Sequence, residues 1–541
     1  MGRQGASSTR SVEAGLNGSR KTIFAAIFWT VFVLSAGALS GATDIYIAQN
    51  SAGANSGADC ADAHSAAWFN SSSNWGSGAA QIGAGTTVHL CGTFIGNAGS
   101  SMLTVQGSGK SGNVIELLFE SGANLTAPYW STAGAINLGG YANLLVDGGS
   151  NGVIQATANG SGLANQQVNT GIYTTGGNVE IRNLTIANLY VHSSASDTAV
   201  DQTQVNCIRF SGSNISIHNN TMHDAGWCLY EPYNSGDGTV SLYDNTIYNI
   251  DHGWALATSQ AGGSSGPFSF YSNQVYGYAN WDATNDSYHH DGVHCYTSGT
   301  GGSPAHITGL NIYNNLFQGP VGQDVTAHVF LEGGSSSSST PCADSSSPVT
   351  LYNNVMTADQ PINNGLMGLF SGNYSIYDNT LIGSSTGNGV CFSANSLVSG
   401  MLFKNNVLST CNQLINISNS ISFTPDYNAY GNGGSNAFVC NNNYYNTSQF
   451  ASWQSCIGGD SHSSYKSSLS LSTLGLPQSG SPVIAAGTNL TSLGITTLDS
   501  DTTAGNTRTP SARTSSGAWD IGAYAYTAAP SAPTGLSAVV E

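Results

Sequence analysis

Between residues 180 and 409 the chain repeats one short alternation of apolar and polar positions. The copies are "SIHNNTMHD" ending at Asp224, "SLYDNTIYN" at Asn249, "SFYSNQVYG" at Gly277, "NIYNNLFQG" at Gly319, "TLYNNVMTA" at Ala358, "SIYDNTLIG" at Gly383 and "MLFKNNVLS" at Ser409, with a looser copy, "EIRNLTIAN", before them. Each alternates with a period of two, breaks at an asparagine and resumes with a second apolar run, which predicts strand, bend, strand. The shared asparagines are Asn220, Asn245, Asn273, Asn315, Asn354, Asn379 and Asn406, separated by 25, 28, 42, 39, 25 and 27 residues. The short spacings fit one repeat and the long ones a repeat with an inserted loop. Asparagine tolerates the left-handed conformation of a sharp bend, and stacked amides can form hydrogen-bonded ladders.

A second pattern, a glycine leading an alternating strand, follows several copies: "GWCLYEP", "GWALATS", "GVHCYTS" and "GVCFSAN", with "VNCIRFSG" before and "AHVFLEGG" between them. A coil of short strands repeated this often cannot bury its apolar side alone, so it must stack on its neighbours at the parallel-strand spacing of roughly 4.8 Å. The expected fold class is all-β, a parallel β-helix solenoid. Aligning the glycines places Arg209, Tyr230, Ala257 and Tyr296 in one outward column and Cys207, Cys228, Ala255 and His294 in the next. Cys207 and Cys228 are thereby expected within disulfide reach.

These repeats resemble the right-handed parallel β-helix, pectate-lyase-like superfamily, from about Asp44 to Tyr526. The opening "DIYIAQNSAGAN" and the closing "GSPVIAAGTNL" and "GAWDIGAYAY" resemble the ends of exported bacterial β-helix proteins. The resemblance implies a fold and a glycan-related role, but such folds host lyases, hydrolases, epimerases, adhesins and phage spikes, so function must come from a site. The polygalacturonase pattern is absent, "DHG" at Asp251 to Gly253 being its nearest fragment. The pectate-lyase pattern of an arginine base beside a row of calcium-binding aspartates is not matched either.

Ends and boundaries follow from composition. Ile23 to Leu34 is an apolar run, interrupted by Thr30 alone, after Arg20 and Lys21 and followed by small residues to Ala42, as in a secretory signal or an uncleaved anchor. The expected divisions are a signal segment at 1–42, an N-terminal cap and first coils at 43–135, the helical core at 136–430 and closing coils at 431–527. Residues 528–541 resemble a linker towards a fibronectin-type-III-like module. Ten cysteines in an exported chain read as disulfides, with Cys60–Cys91 and Cys440–Cys456 as local pairs. A net charge of -18 repels nucleic acid and anionic lipid. It also weighs against a strongly anionic polysaccharide, unless bound Ca²⁺ bridges carboxylates.

Nine of the 12 histidines lie between His192 and His328, and "YHHDGVHCY" holds three of them. His290, Asp291, His294 and His289, with Asp251 and His252 from the preceding turn, are the candidate catalytic groups. Imidazole titrates near neutral pH and a carboxylate can orient it for acid/base work. The same residues are alternatively metal ligands or ordinary turn chemistry; "HDGVH" lacks the glutamate of the helical zincin motif and starts a strand. Tyr230 and Tyr296 are expected as walls of a shallow groove floored by Ala255 and Ala257, where sugar rings stack; equally, outward tyrosines coat a solvated sheet. Arg209 is expected about three coils from His294, roughly 14 Å away at the sheet spacing, either binding a substrate carboxylate or balancing nearby acids. Glu231 and Glu332 close strands beside this region and complete the expected substrate contacts. The resulting expectation is a secreted or cell-surface monomer acting on polysaccharide as a lyase or glycoside hydrolase, or else a non-catalytic glycan binder. No nucleic acid partner is expected, and a membrane only through an uncleaved leader.

Overall fold

The computed structural model describes residues 43–527, except 160–166, 191–204, 233–235, 259–262, 279–288, 298–305, 323–324, 333–347, 363, 385–386, 418–420 and 496–511. The expected leader, the terminal linker, His192 and Tyr288 lie outside the described residues. Hydrogen bonding links 34 described strands into one continuous sheet that runs from Thr43 to Lys466, parallel except for one pair near its end. The strands close round one axis as a right-handed parallel β-helix, the hand that parallel crossovers take. Two short helices, Ala66–Phe69 and Phe450–Ile457, bury Phe69 and Trp453 near the two ends of the stack.

Seven strands on successive coils carry the argument: β1 (Asn169–Thr174), β2 (Val205–Phe210), β3 (Thr221–Glu231), β4 (Thr246–Thr258), β5 (His290–Thr297), β6 (Val325–Leu331) and β7 (Met367–Tyr377). Each pairs in parallel with the next. Ile208, Leu229, Trp254, Val293, Val329 and Met367 fall in register and are all fully buried. Burying a large apolar side chain contributes about 1.5–3 kcal/mol, so this inner file supplies much of what holds the coils together.

The bends divide labour between two neighbouring residues. The repeated asparagines are buried and form the expected ladder: Asn220 Nδ2 donates to Asn245 Oδ1 at 3.1 Å, Asn245 to Asn273 at 3.0 Å, and so on to Asn406. The ladder continues one rung further than the repeats suggested, from Asn406 to Asn428 at 3.2 Å. The left-handed residue is the one before each rung, for example Asn219, Asp244, Ser272, Asn314, Asn353, Asp378 and Asn405, with φ between 52° and 57°. One residue therefore turns the chain while the next satisfies its buried polar groups.

That ladder also sets the register. Along β3 and β4 the pairing keeps the 25-residue offset of Asn220 and Asn245, from Thr221↔Thr246 through Tyr230↔Ala255. The two "GW" dipeptides are therefore out of step by two residues. Trp227 pairs with His252 and stays half-buried, whereas Trp254 pairs with Leu229 and is fully buried. The outward column corrects to Tyr173, Arg209, Tyr230, Ala255, His294 and Phe330, while Ala257 and Tyr296 pair two residues further along. Cys207 and Cys228 do form a disulfide, but both are fully buried within the core cluster instead of lining an outer column. Cys60–Cys91 and Cys440–Cys456 are also bonded, as is the pair Cys391–Cys411.

Candidate functional site

Strands β4, β5 and β6 deliver the histidine cluster because their bends stack. His252 of β4 pairs with Asp291 of β5, which pairs with Ala327 of β6. Glycine at 292 is a steric requirement here. A Cβ on it would lie 2.4 Å from the His328 carbonyl oxygen and 2.7 Å from the Tyr278 hydroxyl, and one on Gly253 would lie 2.4 Å from the Gly292 carbonyl oxygen. The backbones therefore approach closely enough for side chains flanking the two glycines to converge.

Four side chains meet. One ligand-type atom from each of His252, His289, Asp291 and His294 lies within 4.8 Å of every other. Asp291 is fully buried, and its Oδ1 accepts from the Ala327 N–H at 3.0 Å. Its Oδ2 faces His289 Nε2 at 3.3 Å, His252 Nε2 at 3.4 Å and His294 Nδ1 at 3.7 Å. Burial raises the Asp291 carboxyl, but the surrounding His252, His294 and His289 imidazoles outweigh it and hold the group below its usual range. Burial lowers His252, yet Asp251 and Asp291 together push it above the ordinary imidazole value. His289 moves the other way: burial lowers it, and Asp291 only partly offsets that.

The remaining expected catalytic groups stand behind this cluster. Asp251 and His290 are 1% and 0% exposed, which puts both out of reach of a polymeric substrate. Asp251 accepts from His252 Nδ1 and lies 3.6 Å from His290 Nδ1. Burial raises Asp251, but the two imidazoles beside it hold the carboxyl well below the usual carboxylate range. Glu332, with 42% of its side chain exposed, accepts from His294 Nε2 at 3.2 Å. Of the imidazoles in the cluster, His289 is the exposed one, at 46%.

The side chains expected in the wall come together in an altered arrangement. Arg209 lies between the rings of Tyr173 and Tyr230, its guanidinium carbon 6.0 Å and 5.3 Å from their centroids. The half-buried Trp227 bridges the two tyrosines that the observed register sets apart, standing edge-on to Tyr230 at 5.3 Å and Tyr296 at 5.6 Å, and 4.8 Å from His252. Ala255 and Ala257 are buried, so the floor they were expected to form is closed. Glu231 is a correction: it is 0% exposed, both carboxylate oxygens lack a well-formed hydrogen bond, and burial pushes its pKa well above the usual value, with the Trp254 indole pulling the other way. It is an interior group, not a substrate contact.

No protein-family model and no curated protein matches the chain. Among solved structures it is similar to the crystal structure of pectate lyase Pel9A, at 15% identity and a TM-score of 0.35, over 91% of this chain and 98% of that one. A likeness this distant transfers no site residue.

Residue-level reading of the sequence missed Trp227, Phe330 and the buried pair Tyr278–His328. Phe330 pairs with His294 in register, with ring centroids 5.2 Å apart. Counting from the ladder asparagines instead of the strand-leading glycines would have placed Trp227 beside His252. His328 Nε2 donates to the Thr357 carbonyl at 2.9 Å, so its Nδ1 is left to accept from the Tyr278 hydroxyl at 2.8 Å. A carbonyl can only accept, so Nε2 carries its proton, and burial, which pushes the imidazole down to about 4, favours the neutral ring. Three imidazoles and one carboxylate suit proton transfer or an imidazole-binding transition metal; Ca²⁺ prefers six to eight oxygens, which this donor set lacks.

Proposed function

We propose that the chain is an exported polysaccharide-acting enzyme, a lyase or glycoside hydrolase, whose reacting centre is the cluster His252, His289, Asp291 and His294. The observation that carries this reading is a fully buried Asp291 carboxylate ringed by three imidazoles beside an aromatic wall. Titratable groups whose surroundings drive them in opposite directions are what acid/base chemistry needs. His289 and Glu332 are the partly exposed groups that would reach a bound chain, while Tyr230, Trp227 and Tyr296 would hold sugar rings and Arg209 a more distant substrate carboxylate. Four disulfides among the described residues support export.

The test is incubation of the purified protein with uronate, neutral and sulfated polysaccharides. Unsaturated uronides absorbing in the ultraviolet would mark elimination, and new reducing ends without them would mark hydrolysis. No product from any of these substrates would overturn the enzyme reading. The aromatic wall favours a second reading, a non-catalytic glycan binder, which retained affinity without turnover would support.

A further inference from the structure

We propose that His252, His289, Asp291 and His294 form a tetrahedral site for one divalent transition-metal ion of the zinc class. The inference deepens the proposed function, since it concerns the same cluster, but it rests on coordination geometry that would hold with or without glycan turnover.

Distances carry the first part. An ion held by four bonds of about 2.1 Å at tetrahedral angles separates its donor atoms by about 3.4 Å. Asp291 Oδ2 lies 3.3, 3.4 and 3.7 Å from the nitrogens of His289, His252 and His294. Such separations are long for hydrogen bonds and near the edge of that tetrahedron. Consistent with this, Oδ2 is buried and makes no well-formed hydrogen bond among the described residues.

The second part is how the other polar atoms are used. The Nδ1–H of His252 donates to the Asp251 carboxylate, which turns its Nε2 towards the cluster. The Nε2–H of His294 donates to Glu332, which leaves Nδ1 directed there as well. His252 Nε2 and His294 Nδ1 stand 3.0 Å apart and share a hydrogen bond, whose proton an incoming ion would displace. Asp291 Oδ1 is occupied by the Ala327 N–H, so Oδ2 is its free oxygen. Two histidines each backed by a carboxylate is the outer-shell arrangement that fixes tautomers in metal centres.

The imidazole-rich donor set selects among ions. Three nitrogens and one oxygen suit Zn²⁺, Co²⁺ or Ni²⁺, and not Ca²⁺ or Mg²⁺. His289 alone among the four is exposed, so ions enter on its side.

The test titrates metal-stripped full chain with Co²⁺ and then displaces it with Zn²⁺, following visible d–d absorption and metal content. One ion per chain, with intense tetrahedral Co²⁺ bands that Zn²⁺ abolishes and equimolar Ca²⁺ does not, is the expected result. His289→Ala, at a half-exposed position that spares the fold, should weaken Zn²⁺ binding by about 100-fold, and Glu332→Gln by about 10-fold. Asp291→Asn should remove the bands, with circular dichroism checking its fold; if it does not fold, His289→Ala decides. Absence of tetrahedral bands in the parent protein, or His289→Ala binding Zn²⁺ as tightly as the parent, overturns the site. Metal binding without turnover on any glycan would leave this site standing and remove the proposed function. Turnover by protein that binds no metal would do the reverse.

Discussion

His252 Nε2 and His294 Nδ1 face each other at 3.0 Å, and the opposite nitrogen of each ring is already engaged by a carboxylate, Asp251 in one case and Glu332 in the other. Two rings on successive coils are thereby locked in the orientations that point them at Asp291. Replacing His294 by alanine should lower glycan turnover by at least about 100-fold, the range of a lost acid/base group, while the protein stays folded. His462→Ala offers the control, since His462 is 58% exposed and pairs with Asp426 on a later coil. Equal turnover in both variants would remove the cluster from the reaction.

The asparagine ladder predicts a sharp contrast between neighbours. Asn315 donates to the Phe270 carbonyl at 2.9 Å and to Asn354 at 3.0 Å, and its oxygen accepts from Asn273. Asn315→Ala leaves several buried groups unsatisfied and should cost about 3 kcal/mol or more. Ser272, the bend residue before the neighbouring rung Asn273, has φ 55° and needs mainly a residue that tolerates the left-handed region; Ser272→Gly should cost about 1 kcal/mol or less. Denaturant midpoints measure both, and similar losses would contradict the division of labour.

Tyr278 and His328 predict acid sensitivity. Burial pushes His328 down to about 4 from 6.5, partly offset by the Thr357 carbonyl. A histidine with a depressed folded value binds fewer protons than the unfolded chain between those limits, so stability is lost as pH falls from 6.5 through about 4. The loss should be of order 3 kcal/mol. His328→Gln keeps a donor for Thr357 and an acceptor for Tyr278, and should flatten this part of the pH–stability curve.

Asp460 predicts the opposite slope. Its carboxyl caps the far end of the ladder, accepting from Asn428 at 3.2 Å, and burial raises it to about 6 against hydrogen bonds from Ser463 and Asn428. A carboxyl with a raised folded value binds more protons than the unfolded chain, so its contribution is full below about 4 and is lost as pH rises through about 6. Asp460→Asn, at φ 72° where asparagine is tolerated, should remove that loss and raise the thermal midpoint at pH 8 relative to the parent. An unchanged difference between pH 4 and pH 8 would show that Asp460 does not titrate as described.

By itself the sequence determined the coil, because alternation, a recurring bend and spacings of 25 to 42 residues are local facts repeated along the chain. Inner positions such as Val293, the nearness of Cys207 to Cys228 and the neighbourhood of "HHDGVH" followed from the same periodicity. Register was decided only by the tertiary structure. Two "GW" motifs look equivalent as text, but the buried amide ladder fixes the offset between coils, and its hydrogen bonds outweigh any match of glycines. Depth was likewise decided there: Glu231 reads as a substrate contact and His290 as a catalytic group, and stacking of neighbouring coils covers both. Which side chains converge on one point depends on distances between residues up to 42 positions apart, such as His252 and His294. No pattern within one coil carries that information, because the bends that bring them together are set by the coils on either side.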